Sequence, residues 1–296
     1  MSLPQRIAIT GASGLIGTAL VGHLKSEGHT VQKLVRRKPL SPDEVFWDPR
    51  SGDIELSALE GVDAIIHLAG ANVGDKRWTK KYRAEILNSR LLGTTTIANA
   101  VSTLKPDVFI SASAIGWYGE TGNRAVSESD RPGDDFLAAV CKQWEAAADL
   151  ATDTRVVKIR TGLVLDSTGG ALGKMLPLFK FGIGGKLGSG KQWWSWITLH
   201  DLVEAICFLL EKPLSGAVNL TAPNPATNQE FTSALARALK RPALIPVPGF
   251  ALKIALGGFS SEVLGSKKVL PTALLDAGFN FDYPHLAPAL SALLAE

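Results

Sequence analysis

Gly11, Gly14 and Gly17 stand three residues apart, directly after the apolar run Ile7–Thr10. That spacing suits phosphate binding. Gly11 permits a tight turn, Gly14 lets backbone N–H groups approach a pyrophosphate, and Gly17 lets the next helix lie close to the strand. The helix N-terminus then offers its partial positive charge to the phosphates. A glycine triplet alone is a weak signal. Its place between a strand and a helix supplies the context it requires. Farther along, Arg36, Arg37 and Lys38 follow the run Thr30–Val35. The end of the second strand meets the adenosine ribose in such folds, about 20 residues past the glycines. An acidic residue there would bind the 2′-hydroxyl of NAD. Arginine forks suit a 2′-phosphate instead, so the expected cofactor is NADP(H).

Other polar residues carry weaker signals. Lys174, Lys191 and Gln192 lie in or beside a glycine-rich stretch, where they suit an anionic or sugar-like ligand or simply face solvent. Trp193, Trp194 and Trp196 wall a pocket or form a core, and core is the expectation for at least two of them. Cys141 reads as a small buried packing residue. Lys142 reads as a solvated helix residue. His200, a candidate acid, precedes Asp201, whose natural role is to start a helix. The five histidines and two cysteines show no metal spacing, and no metal is expected.

These residues need elements to position them. Ile7–Thr10 reads as a buried strand, and Leu15, Ile16, Leu20, Val21 and Leu24 recur at helical intervals up to Gly28. Strands are expected at 30–35, 45–47, 63–68, 107–113 and 155–161. A helical patch at 56–59, a long helix at 78–100 and a helix at 136–150 alternate with them. Alternating strands and helices imply an α/β fold, a Rossmann-type doubly wound parallel sheet. Beyond Gly162 the pattern changes. Eight glycines fall between Gly169 and Gly190, around a helical piece at 172–181. Helices at 201–210, 228–239 and 286–294 and a strand at 217–220 follow. The expected division is a Rossmann domain over 1–165, with later segments able to return to it, and a smaller mixed α/β substrate lobe over 166–296. A crevice between lobe and strand ends is the expected substrate site.

Composition excludes several classes. The chain has 296 residues, 46% hydrophobic and 20% charged, which describes an ordinary globular protein. A net charge of +3 with scattered basic residues argues against nucleic acid. Two cysteines make no disulfide framework. The chain enters its first strand at once, leaving no room for a signal peptide, and no apolar run reaches spanning length. A cytoplasmic protein acting on a small-molecule substrate is expected, without nucleic acid or membrane, and compatible with a homodimer.

GASGLIG, the strand DAIIHLAG, the hydroxyl-ended SASAIGWYG and the helix ending KQWEAAA occur in one order. Together they resemble the extended short-chain dehydrogenase/reductases over nearly the whole chain. The stretches SASAIGWYGETG, GSGKQWWSWITLHDL and KKVLPTALLDAGFNFDYPHL resemble an atypical branch. Its members are labelled epimerase-family proteins, some of them cell-division inhibitors, and carry a small C-terminal domain of their own, here about 240–296. The resemblance implies that Gly11, Ser13, Gly14, Leu15, Ile16 and Gly17 line the pyrophosphate. It implies Arg36 and Arg37 at the 2′-phosphate, and Leu68, Ala69 and Gly70 beneath the adenosine and ribose. Glu85 and Arg90 would reach the cofactor from the long helix, and Val164 would border the nicotinamide.

The superfamily's usual chemistry uses a Tyr, a Lys four residues later, a Ser or Thr, and an Asn. An unassisted phenol with pKa near 10 is a poor base at neutral pH. Here, anchoring on Glu145 puts Cys141 at the Lys position and Leu137 at the Tyr position. Anchoring on Lys142 puts Ala138 at the Tyr position. Ser113 matches the Ser, and Arg90 stands where the Asn usually lies. The remaining catalytic candidates are Ser113, as carbonyl holder, and Tyr118, as proton donor. Two readings follow. The first is an NADP(H)-dependent oxidoreductase or nucleotide-sugar-type epimerase acting on a small polar carbonyl or sugar-like substrate. The second is a non-catalytic NADP(H)-binding sensor or regulatory module.

Overall fold

A computed structural model describes residues 3–295. Its centre is an eight-stranded sheet. In chain order its strands are β1 (Arg6–Thr10), β2 (Thr30–Val35), β3 (Glu44–Asp48), β4 (Asp53–Ile54), β5 (Ala64–His67), β6 (Val108–Ala114), β7 (Arg155–Thr161) and β8 (Gly216–Leu220). Across the sheet they run β8-β7-β6-β5-β1-β2-β3-β4. Every pairing is parallel except the antiparallel β3–β4 edge. The order reverses at β1, and there a doubly wound sheet opens its ligand crevice.

The apolar strand runs are buried on both faces, as parallel strands require. Ile7 and Ile9 join one core, with Leu20 and Leu24 of helix α1 (Leu15–Ser26) and Leu202, Ile206 and Leu209 of a later helix. Ala8 faces the opposite core, with Ile97 and Val101 of helix α2 (Lys80–Leu104). One strand therefore feeds two layers through its alternation of side chains. Helix α3 (Phe136–Ala148) packs beside α2.

The later segments that return to the sheet are β8, paired with β7, and the helix α5 (Leu199–Glu211), packed on α1. The segments before and after them build a second core. Leu172, Leu176 and Phe179 of helix α4 (Gly170–Lys180) meet Phe231 and Leu235 of helix α6 (Asn228–Leu239) and Leu290 near the C-terminus. Trp196 is fully buried in it and Trp194 packs on Phe231, whereas Trp193 is half-buried with Lys268 over its ring. The α6 N-terminus is a capping box of Thr227 and Glu230.

Asp201 does not cap α5 as the sequence suggested. Thr198 does, accepting the Asp201 N–H through its hydroxyl at 3.0 Å. The buried Asp201 carboxylate instead accepts the backbone N–H groups of Asp282 and Tyr283, at 2.9 and 3.1 Å. It fixes the C-terminal segment to α5. No helix among the described residues is long and apolar enough to cross a membrane.

Candidate functional site

Backbone close approach dictates the glycine turn. Gly11 has φ +72°, and a Cβ there would come within 2.9 Å of the Leu68 carbonyl carbon. A Cβ on Gly17 would fall 2.2 Å from the Gly11 carbonyl oxygen, so any side chain there pushes α1 off the turn. The Gly14 N–H closes the turn onto Gly11 O at 3.0 Å. No side chain caps α1 at Gly14, so its first N–H groups remain available to an anion.

This turn opens into a cavity of about 1210 Å³. Gly11, Ser13 and Gly14 line one end, with Leu68, Ala69 and Gly70 beside them. Arg36 and Arg37 line the other end, and Glu85 faces in from α2. Nine of the sequence-derived positions thus share one hollow. Lys33, Glu44, Trp47, Arg50, Asn88 and Ser89 line it too, and the sequence reading missed them. Glu85, Asn88, Ser89 and Leu92 stand at i, i+3, i+4 and i+7, so helical spacing from Glu85 was a usable signal. Arg50 had none, because the short β3–β4 turn brings it round.

The basic end is unevenly committed. Arg37 holds Glu44 in a two-pronged pair at 2.8 and 2.7 Å, and the Leu40 N–H donates to the same carboxylate at 2.8 Å. The Arg37 hydrogen bonds depress the Glu44 pKa and raise that of Arg37. Arg36 and Arg50 have no carboxylate partner among the described residues.

Beneath the cavity, the Thr10 hydroxyl accepts the N–H groups of Leu68 and Ala69, at 3.1 and 3.2 Å. It shares a 2.7 Å hydrogen bond with His67 Nδ1. Burial pushes the His67 pKa down to about 3, so the ring is neutral; the Thr10 oxygen already accepts two N–H groups, which leaves its own proton for Nδ1. Arg90 lies behind this loop rather than on the cavity wall. It donates to Ala71 O at 2.9 Å and stacks on Trp144. Leu15, Ile16 and Gly17 form the first turn of α1, and Val164 lies in a short strand beside Ile197.

Ser113 and Tyr118 sit in a different environment. Both are buried. The Ser113 hydroxyl donates to Glu145 Oε1 at 2.7 Å. Arg160 grips the same carboxylate through Nε and Nη2, at 2.8 and 2.9 Å. Arg160 Nη1 donates to the Tyr118 hydroxyl at 3.0 Å, and that hydroxyl donates to Asn219 Oδ1 at 2.7 Å. Burial pushes the Tyr118 pKa up to about 12 against the opposing pull of Arg160. Burial opposes the Arg160 charge most strongly, but the hydrogen bonds and charge of Glu145, joined by Tyr118, together outweigh it and hold its pKa above the ordinary value. Cys141 lies nearby, 3.7 Å from Ala114 O, its thiol raised to about 12 by burial. It is mainly protonated at neutral pH and is no nucleophile there.

The remaining candidates are dispersed. Lys191 and Trp193 line a shallow hollow of about 400 Å³. The buried Gln192 spends its amide on Leu187 O at 2.9 Å. Lys174 lies 3.7 Å from Asp75. His200, Asp201 and Asp282 each bring a ligand-type atom within 4.8 Å of the others. His200 and Asp282 bond each other at 2.6 Å, and Asp201 is spent on backbone N–H groups, so this cluster is satisfied within the chain.

Known proteins match this architecture along its length. "Epimerase family protein ML0860" of Mycobacterium leprae is 43% identical over 289 residues, covering 96% of this chain and 94% of its own. The chain belongs to the epimerase family proteins. The family model described as "NAD dependent epimerase/dehydratase family" matches residues 7–141, and a "domain of unknown function (DUF1731)" matches 247–293. Among solved members of the family, the human epimerase family protein SDR39U1, crystallised with NADPH, superposes with a TM-score of 0.91 at 34% identity, covering 98% and 99% of the two chains. A nucleoside-diphosphate sugar epimerase from Corynebacterium glutamicum gives 0.79 at 36% identity, covering 98% of this chain and 58% of that one.

Proposed function

We propose that this protein binds NADP(H) in the glycine-lined cavity and carries oxidoreductase or epimerase chemistry on a small polar carbonyl or sugar-like substrate. One observation carries the reading: the uncapped helix turn at Gly14 and the unpaired guanidinium groups of Arg36 and Arg50 line one hollow. The turn suits a pyrophosphate and the guanidinium groups suit a 2′-phosphate. The NADPH bound to the human relative supports the same cofactor. When bound, a nicotinamide supplies hydride, and the protein's task is to hold donor and acceptor close.

This chain's residues supply the holding. Gly11, Gly14 and Gly17 admit the pyrophosphate. The Thr10–His67 pair fixes the Leu68–Gly70 segment beneath the adenosine. Glu85 lies at the ribose end and Val164 toward the nicotinamide. Ser113 and Tyr118 are the proposed catalytic groups, and each must exchange an internal hydrogen bond for one to substrate. The lobe from about residue 166 onward forms the substrate side, with residues 240–296 as its distinctive part. A cytoplasmic setting accompanies this reading.

A second reading has its own support. The Ser113 proton is committed to Glu145 and the Tyr118 phenol is held by Arg160 and Asn219, which favours a non-catalytic NADP(H) sensor. Titration of tryptophan fluorescence with NADPH and NADH tests the cofactor. Tight NADPH and weak NADH binding is expected, and absence of both overturns the proposal. NADPH consumption with a carbonyl panel, abolished by Ser113→Ala, selects catalysis. Binding without turnover on any of them selects the sensor.

A further inference from the structure

We propose that the face built from residues 178–183, 240–245 and helix α7 (Gly249–Leu256) docks reversibly on an anionic lipid surface. Among the described residues, seven of the twelve large exposed hydrophobics fall there: Leu178, Phe181, Ile183, Leu244, Ile245, Phe250 and Ile254. Phe181 is 81% exposed and Leu244 83%. The segments lie side by side. Val247 N donates to Lys186 O at 2.9 Å, Gly188 N donates to Val247 O at 2.9 Å, and the Gly185 backbone packs directly on the Ile245 carbonyl. Helix α7 follows at once and buries none of its residues. Phe250 and Ile254 stand four apart and share one side of it. Exposed apolar side chains gathered on adjoining segments mark an interaction site.

Charge selects the occupant. No Asp or Glu occurs between Asp166 and Asp201 or between Glu230 and Glu262. Those two stretches hold eight of the 31 basic residues, so the rest of a chain of net charge +3 is net acidic. Lys174 is drawn to Asp75, but Lys180, Lys186, Lys240, Arg241 and Lys253 have no ion-pair partner among the described residues. Exposed apolar side chains among unpaired cations are the chemistry of an interfacial anchor on anionic headgroups. A second copy is disfavoured, because an isologous contact would press two basic faces together.

The test is co-sedimentation of the full chain with vesicles, independent of NADP(H). Vesicles containing phosphatidylglycerol should pull the protein down at low salt, and pure phosphatidylcholine should not. Raised salt should release it, because exposed charges are screened. Phe250→Glu with Ile254→Glu, and separately Lys180→Glu with Lys253→Glu, should each lower partitioning by about tenfold or more. Both pairs should keep wild-type NADPH titration curves and melting temperatures, which separates loss of docking from loss of fold. Absence of sedimentation with anionic vesicles overturns the proposal, as does sedimentation that neither pair alters. A wild-type dimer that Phe250→Glu turns into a monomer also overturns it, by giving the face to a second copy.

Discussion

Arg37 and Arg50 show how a guanidinium's partners decide its use. Arg37 is already paired with Glu44, whereas Arg36 and Arg50 offer free donor forks to the same cavity. Arg36→Ala and Arg50→Ala should each weaken NADPH binding by about tenfold, or ~1.4 kcal/mol, and leave NADH binding nearly unchanged. Fluorescence titration of both nucleotides checks this. His67 makes a pH prediction at the same scale. Its folded pKa is about 3, against an ordinary 6.5, because burial excludes the charged ring. As pH falls below the ordinary value the unfolded chain takes up a proton that the folded chain refuses, so stability falls. Between about pH 7 and about pH 5 this one group should cost on the order of 2 kcal/mol. Urea unfolding at the two pH values should show the loss, and His67→Gln should flatten it.

Element junctions impose tighter limits than single side chains. Helix α1 meets the glycine turn so closely that a methyl group at Gly17 has no room. Gly17→Ala should lower stability by about 2–4 kcal/mol and abolish NADPH binding together, as thermal melts and titration would register. The α6 cap is a milder case. Thr227 and Glu230 satisfy each other's backbone N–H groups, and Thr227→Ala should cost about 1 kcal/mol in urea unfolding with cofactor affinity unchanged.

Across the whole molecule, one buried polar network joins the layers. Glu145 on α3, Arg160 on β7, Tyr118 after β6 and Asn219 on β8 form a continuous chain of hydrogen bonds. Asn219 Nδ2 carries it to Leu270 O at 2.9 Å, in the C-terminal segment. Glu128 adds a brace, accepting from Asn219 N and Ala273 N at 3.0 and 3.2 Å. Arg160→Met should therefore cost about 3–5 kcal/mol, because it leaves the Glu145 carboxylate buried without its cation. Urea unfolding measures that cost, and the paired Arg160→Met/Glu145→Met variant should recover part of it. The second join is aromatic: Phe259 packs on Trp78, just before α2, with Arg83 over the Trp78 ring. The C-terminal segment thus rests on the chain that leads into the cavity-lining helix.

Local rules were enough to read the doubly wound sheet. The runs at Ile7, Thr30, Asp107 and Arg155 are short, rich in β-branched and apolar residues, and each is a strand in the structure, whereas the two-residue β4 was not foreseen. The glycine spacing was legible for the same reason: backbone conformation and close approach leave few residue types that fit. Capping was misread at Asp201, whose partners lie 81 and 82 residues away, whereas at Thr227 the partners of the capping box lie three residues apart. What tertiary structure decided was the company each polar group keeps. Sequence placed Arg36 and Arg37 together, but only the fold gave Arg37 to Glu44 and brought Arg50 round a turn. It likewise set Ser113 against Glu145, 32 residues away, and Tyr118 against Asn219, 101 residues away. Hydrogen bonds act over about 3 Å. Partners that distant in the chain leave no periodic trace in its sequence, so the chain alone determined the scaffold and its glycine turn, and folding decided which polar groups remain free.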